Sequence, residues 1–135
     1  FDAEVRSSIH EKIRSIAEQT ANAMGAVATV ENDPGVPVTF NDLALTQQMV
    51  PTLERVYGED EVFESPRVTG AEDFSFYQEQ VPGFFFFIGA RPPQLSAAEA
   101  IPNHSPFFYV DEDALAPAVQ AMTQLAIDYL GAGAR

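Results

Sequence analysis

The sequence predicts an α/β fold, and three observations predict it. Stretches with apolar residues every three or four positions alternate with short apolar runs bounded by glycine and proline. One of those runs, Phe84 to Ile88, is continuously apolar, as in a strand buried on both faces of a sheet. A chain of 135 residues is the size of one ordinary domain, large enough for a single core.

The first element spans Asp2 to Met24. Val5, Ile9, Ile13, Ile16, Ala17, Ala21 and Met24 form one stripe at helical spacing, and Gly25 follows as a left-handed cap. Ala26 to Glu31 alternates weakly and reads as a short strand, closed by the turn signal Asn32-Asp33-Pro34-Gly35. Val36 to Phe40 is extended and leads to Asn41, a good helix cap before Leu43 to Val56. Pro51 predicts a kink there or two helical pieces.

Val62 and Phe63 form a short strand candidate, and a brief helix follows Gly70 over about Glu72 to Gln80 until Pro82-Gly83 stops it. The Phe84–Ile88 run comes next and needs cover, because exposed it would invite aggregation. Residues 91–102 are irregular. Asp111 then caps a long helix to Leu130, with Leu115, Val119, Met122, Leu125, Ala126 and Tyr129 on its inner face and a ragged start at Pro117. A boundary therefore falls near Asn32 to Asn41. Before it lies a helix and strand that cannot cover their own apolar stripe, and after it an α/β segment.

Composition removes several functions. A formal net charge of −13, with seven scattered basic residues, excludes a nucleic-acid surface, which needs clustered Lys and Arg. No apolar run approaches the roughly 20 residues that span a bilayer. With no cysteine, any metal is held by His, Asp or Glu, and the composition fits a reducing, cytoplasmic setting. The opening Phe1-Asp2-Ala3-Glu4 has neither Met nor a signal-peptide pattern, so the chain reads as an internal or processed segment.

Three places carry candidate chemistry. His104 stands in the loop Asn103-His104-Ser105-Pro106 just before an extended segment, a placement that suits a metal ligand, although an ordinary loop histidine also fits. Zinc needs three or four protein ligands, and the second histidine, His10, reads as surface beside Glu11 and Lys12. Glu72 and Asp73 suit a general base, a support for a metal ligand or a ligand, and equally well the acidic opening of a short helix. Asp111, Glu112 and Asp113 are better explained by capping. There is no Gly-x-Ser-x-Gly nucleophile turn and no glycine-rich phosphate loop.

Phe1-Asp2-x-Glu4-Val5-Arg6, Gly70-Ala71-Glu72-Asp73-Phe74, Val81-Pro82-Gly83, Asn103-His104-Ser105-Pro106 and Asp128-Tyr129-Leu130 occur in this order over essentially the whole chain. Together they resemble the two-metal amidohydrolases and metallopeptidases of the aminoacylase and carboxypeptidase type, in the branch of hippurate and N-acyl-amino-acid hydrolases. The resemblance implies a phosphorylase/hydrolase-like catalytic domain and a smaller α+β lid that mediates dimer contacts. Residues 1–40 would then be the last helix and edge strand of the lid, and residues 41–135 the C-terminal part of the catalytic domain.

His104 matches the family's final metal-binding histidine, while Gly70 to Phe74 matches a segment near the active-site cleft, with no definite role for Glu72 or Asp73. The family's upstream metal motifs are absent from this sequence, which makes the chain a C-terminal fragment on this reading. The parent would use zinc, manganese or cobalt to activate water and cleave N-acyl amino acids or small peptides, as a homo-oligomer. The fragment alone would be inactive. A competing reading is a non-catalytic binding or assembly module that keeps the fold without the chemistry.

Overall fold

The computed structural model describes residues 2–133. Its regular elements are helices: α1 (Ala3–Ala23), α2 (Leu43–Tyr57), α3 (Phe74–Gln78) and α4 (Leu115–Ala132), with single 3-10 turns at Glu59–Glu61 and Glu112–Ala114. They divide between two compact units. The first comprises Phe1–Asn41 and Arg67–Phe85, the second Asp42–Pro66 and Phe86–Arg135.

No strand is assigned among the described residues, so the α/β expectation is wrong, and with it the lid's edge strand and the mixed catalytic architecture. A strand exists only as a member of a ladder, and local apolar alternation cannot supply the partner. The run Ala26 to Glu31 is irregular, with Val27 95 % exposed, and Val62-Phe63 is also irregular. At Phe84 to Ile88 no ladder is assigned either; Phe85 exchanges hydrogen bonds through both its N–H and its C=O with the side chain of Asn41.

In the first unit, Asp2 caps α1 by accepting from the N–H groups of Glu4 and Val5 at 2.8 and 3.0 Å. Gly25 ends it with φ of +72°, a backbone that a side chain would strain. The apolar stripe is where the sequence places it, yet among the described residues it stays largely exposed. Val5, Ile9, Ile13, Ile16 and Met24 are between 47 % and 82 % exposed, and α1 has no buried residue. Arg6 donates to the Val36 carbonyl and Asn32 Nδ2 to the His10 carbonyl at 3.1 Å, so polar bonds hold the 26–41 segment along the helix. The aromatic centre of this unit is Phe74, with ring centroids 5.8 Å from Phe85 and 6.1 Å from Tyr77. Beside it Ser75 is fully buried and donates to the Glu72 carbonyl at 2.6 Å.

The second unit is built on α2 packed against α4. Asp42, not Asn41, caps α2 by accepting from the Leu45 N–H at 2.8 Å. Pro51 lies inside one continuous helix, so two helical pieces do not form. Met49, Thr52 and Leu53 are the buried positions of α2 and Ala121 that of α4. The inner face proposed for α4 is thus misplaced, since Leu115, Val119, Met122 and Tyr129 are all more than half exposed. The face turned inward carries Ala121, Gln124, Leu125 and Asp128. Asp111 does open the helix region, accepting from the Asp113 N–H at 3.1 Å, and the start is a 3-10 turn before Leu115.

Asp128 fixes the rotation of α4. Its Oδ2 accepts from Thr52 Oγ1 at 2.6 Å and from Arg55 Nη2, and its Oδ1 accepts from Gln124 Nε2 at 2.9 Å. These bonds hold its carboxyl below the usual aspartate range, the Thr52 hydroxyl first, then Gln124, with Arg55 adding less. Arg55 is 56 % exposed, so solvent screens the ion pair and the buried Thr52 donor carries more of the effect.

Leu53→Ala is expected to destabilise the protein by about 2–5 kcal/mol, since it empties a buried leucine of α2, the helix that packs against α4; urea unfolding followed by circular dichroism measures this. Because folding lowers the Asp128 pKa, its contribution is complete above the ordinary aspartate value and is lost as pH falls through the folded-state value. Asp128→Asn should therefore lower the urea midpoint at neutral pH and flatten the acid limb below about pH 5. Equal acid limbs in the two proteins would remove Asp128 from this role.

Candidate functional site

His104 occupies a turn that its sequence does not favour. The Ser105 N–H donates to the Pro102 carbonyl at 3.3 Å, closing a four-residue turn with Asn103 and His104 at its centre. His104 takes φ of +70°, the sign a type II turn requires at its third position and one that glycine or asparagine meets most easily. Among the described residues it is the one non-glycine residue with positive φ. Asn103 stands one position too early to take that place. Ser105 holds the exit of the turn, its Oγ accepting from the Phe107 N–H at 3.2 Å and its carbonyl from the Phe108 N–H at 3.0 Å. The imidazole is exposed.

Glu72 and Asp73 lie together in the first unit, and His104 lies in the second. The Glu72 carboxylate accepts from the Phe74 N–H at 3.2 Å, and its carbonyl accepts from Ser75. Glu72 thus closes the N-terminal turn of α3. Asp73 is exposed and makes no capping bond with its side chain. Of the adjacent pair, one carboxylate is occupied by local structure and the other faces solvent. His10 is half-buried on α1, with its carbonyl taken by Asn32.

Among the described residues no group of three or more His, Asp or Glu side chains is placed to hold a metal ion. A lone imidazole does not meet the three or four ligands that zinc requires, so the described residues do not fit a metal site by themselves. Surface depressions along α1 (Ala3, Glu4, Ser7, Ser8, Glu11) and at Gln48 with the end of α4 include none of the candidate residues.

Two features escaped sequence reasoning. Tyr57 buries its hydroxyl without a hydrogen-bond partner among the described residues, and burial raises its pKa above the ordinary phenol value. Asp128 anchors one helix to another. Its only signal was a solitary carboxylate within an otherwise apolar helix. The sequence has no comparable cue for Tyr57.

Comparison with known proteins places these residues in a wider setting. A family model described as peptidase family M20/M25/M40 matches residues 5–128. The chain is 34 % identical to thermostable carboxypeptidase 2 of Saccharolobus solfataricus, over 96 % of this chain and 32 % of that protein. It is 33 % identical to the N-acetylcysteine deacetylase of Bacillus subtilis, over 94 % of this chain and 31 % of that protein. It is 32 % identical to IAA-amino acid hydrolase ILR1-like 4 of Arabidopsis thaliana, over 96 % and 30 %. The chain spans about a third of the length of these curated relatives. No solved structure matches.

The turn at His104 yields a stability test that is independent of any metal. His104→Gly should leave the thermal midpoint unchanged or raise it, because glycine adopts positive φ freely. His104→Val should destabilise by about 1–3 kcal/mol, as a β-branched residue is strained there. Equal midpoints for the two variants would show that the turn stores no strain.

Proposed function

The chain belongs to peptidase family M20/M25/M40, and from that premise we propose that it is a non-catalytic assembling portion of a metal-dependent amidohydrolase. One observation carries the reading. Among the described residues no cluster of ligands stands around the exposed imidazole of His104, while α1 and α4 present largely exposed apolar positions. A surface of that kind is built to be covered.

In the assembled enzyme, His104 would serve as one ligand to zinc, manganese or cobalt, with the remaining ligands supplied from outside the described residues. Asp73, whose carboxylate is free of local bonding, suits a position near the cleft better than Glu72. The substrate would be a small N-acyl amino acid or peptide, a class supported by the names of the deacetylase and amino acid hydrolase relatives. Residues 1–40 would belong to the part that mediates association and residues 41–135 to the catalytic part. The bare stripe of α1 favours a homo-oligomer. The acidic chain is unsuited to nucleic acid, and its lack of cysteine suits the cytoplasm. No helix among the described residues is long and apolar enough to cross a membrane.

The test compares this 135-residue chain with the full-length gene product. The chain alone should release no amino acid from N-acetyl substrates with added zinc, manganese or cobalt, and should sediment as a concentration-dependent assembly. In the full-length product, His104→Ala should lower metal content and reduce turnover by at least a hundredfold, whereas His10→Ala changes neither. Chelator-sensitive hydrolysis by the isolated chain, or equal effects of the two histidine variants, would overturn the reading.

A further inference from the structure

The chain has four asparagines, and three of them are held in place. Asn22 lies in the last turn of α1, where the helix fixes the main chain around it. Asn32 donates through Nδ2 to the His10 carbonyl at 3.1 Å. Asn41 engages both ends of its amide with main-chain atoms of Phe85, each at 2.7 Å. Asn103 differs from these. It is exposed at the centre of the Pro102–Ser105 turn, and among the described residues no hydrogen bond engages its side chain or the N–H of His104 that follows.

An asparagine in that setting is open to attack by its own chain. The main-chain nitrogen of the next residue can add to the side-chain carbonyl carbon, provided that the N–H is unbonded and the peptide is free to turn. His104 supplies a reason to turn. Its φ of +70° is strained for a residue with a Cβ, and rotation of the peptide between Asn103 and His104, the change that relates type I and type II turns, restores a negative φ. The same rotation carries the His104 nitrogen about the Asn103 Cα–C bond, which is the motion that ring closure needs.

We propose that Asn103 is a site of spontaneous deamidation, a covalent modification site built into the His104 turn. The His104 nitrogen bonds to Asn103 Cγ and gives up its proton, while the bond from Cγ to Nδ2 breaks and ammonia leaves with that proton. Water then opens the resulting succinimide at either carbonyl and yields aspartate or isoaspartate. Both products place a negative charge beside the imidazole, and isoaspartate also inserts a carbon into the main chain of the turn. The reaction needs no metal and is independent of the functional reading above.

The experiment holds the full-length gene product at neutral pH and physiological temperature and follows each asparagine by proteolysis and mass spectrometry. Asn103 should convert at least about tenfold faster than Asn22, Asn32 or Asn41, which must first open locally, and isoaspartate should appear together with aspartate. In concentrated urea the four rates should draw together, because unfolding frees the three that are held. Asn103→Gln should show no conversion at this position over the same period, since its longer side chain closes a larger ring more slowly. Conversion at Asn103 no faster than at the other three would overturn the site. A preference equally large in urea would overturn its structural cause and leave local sequence alone. Aspartate without isoaspartate would overturn the route through the ring.

Discussion

The carboxylate of Asp128 is the interaction on which the packing of the second unit depends. Helix α4 is apolar around most of its circumference, and such a helix has no preferred rotation from hydrophobicity alone. Thr52 and Arg55 on α2 reach one oxygen of Asp128, and Gln124 on α4 itself holds the other. That three-way bond turns Ala121 inward, where its small side chain lets α2 come close with Met49 and Leu53. The apolar contacts supply the attraction, and the polar anchor selects which of several similar faces makes them. The consequence is visible on the opposite side, where Val119, Met122, Ile127 and Leu130 are left in solvent.

The same imbalance governs the first unit by a different route. Helix α1 is well capped and its stripe is regular, yet its bonds to the rest of the unit run through Arg6 and the His10 carbonyl, not through the stripe. Apolar area of this extent on two helices is uncommon on a self-contained soluble domain. It accords with the length of the curated relatives, of which this chain spans about a third. Among the described residues, apolar positions of α1 and α4 stay exposed and no group of three or more His, Asp or Glu side chains is placed to hold a metal ion.

His104 joins these themes at a single residue. Its left-handed backbone costs conformational energy that asparagine or glycine would avoid, and Asn103 is adjacent but out of register for that purpose. Strain retained at a histidine is a reason to look for a use of the imidazole. Glu72 shows the opposite case. Its carboxylate satisfies a helix N–H two residues on, so its local structural role is sufficient to explain its presence.

Much was legible from the sequence by itself. The periodicity of Val5, Ile9, Ile13 and Ile16, the capping by Asp111, and the stop at Gly25 are local properties, set within a few residues, and they appear as read. The family resemblance also rests on residue order alone, and the model match over residues 5–128 agrees with it. Tertiary structure decided the rest. Strand formation at Phe84 to Ile88 required a ladder, which is not assigned among the described residues, and the Asn41 side chain that bonds both main-chain groups of Phe85 is one the sequence had offered as a helix cap. The inner face of α4 required Thr52 and Arg55, more than 70 positions away. Propensity and periodicity act over one or two turns of chain, whereas partners for edges, faces and lone carboxylates are found only when distant segments meet.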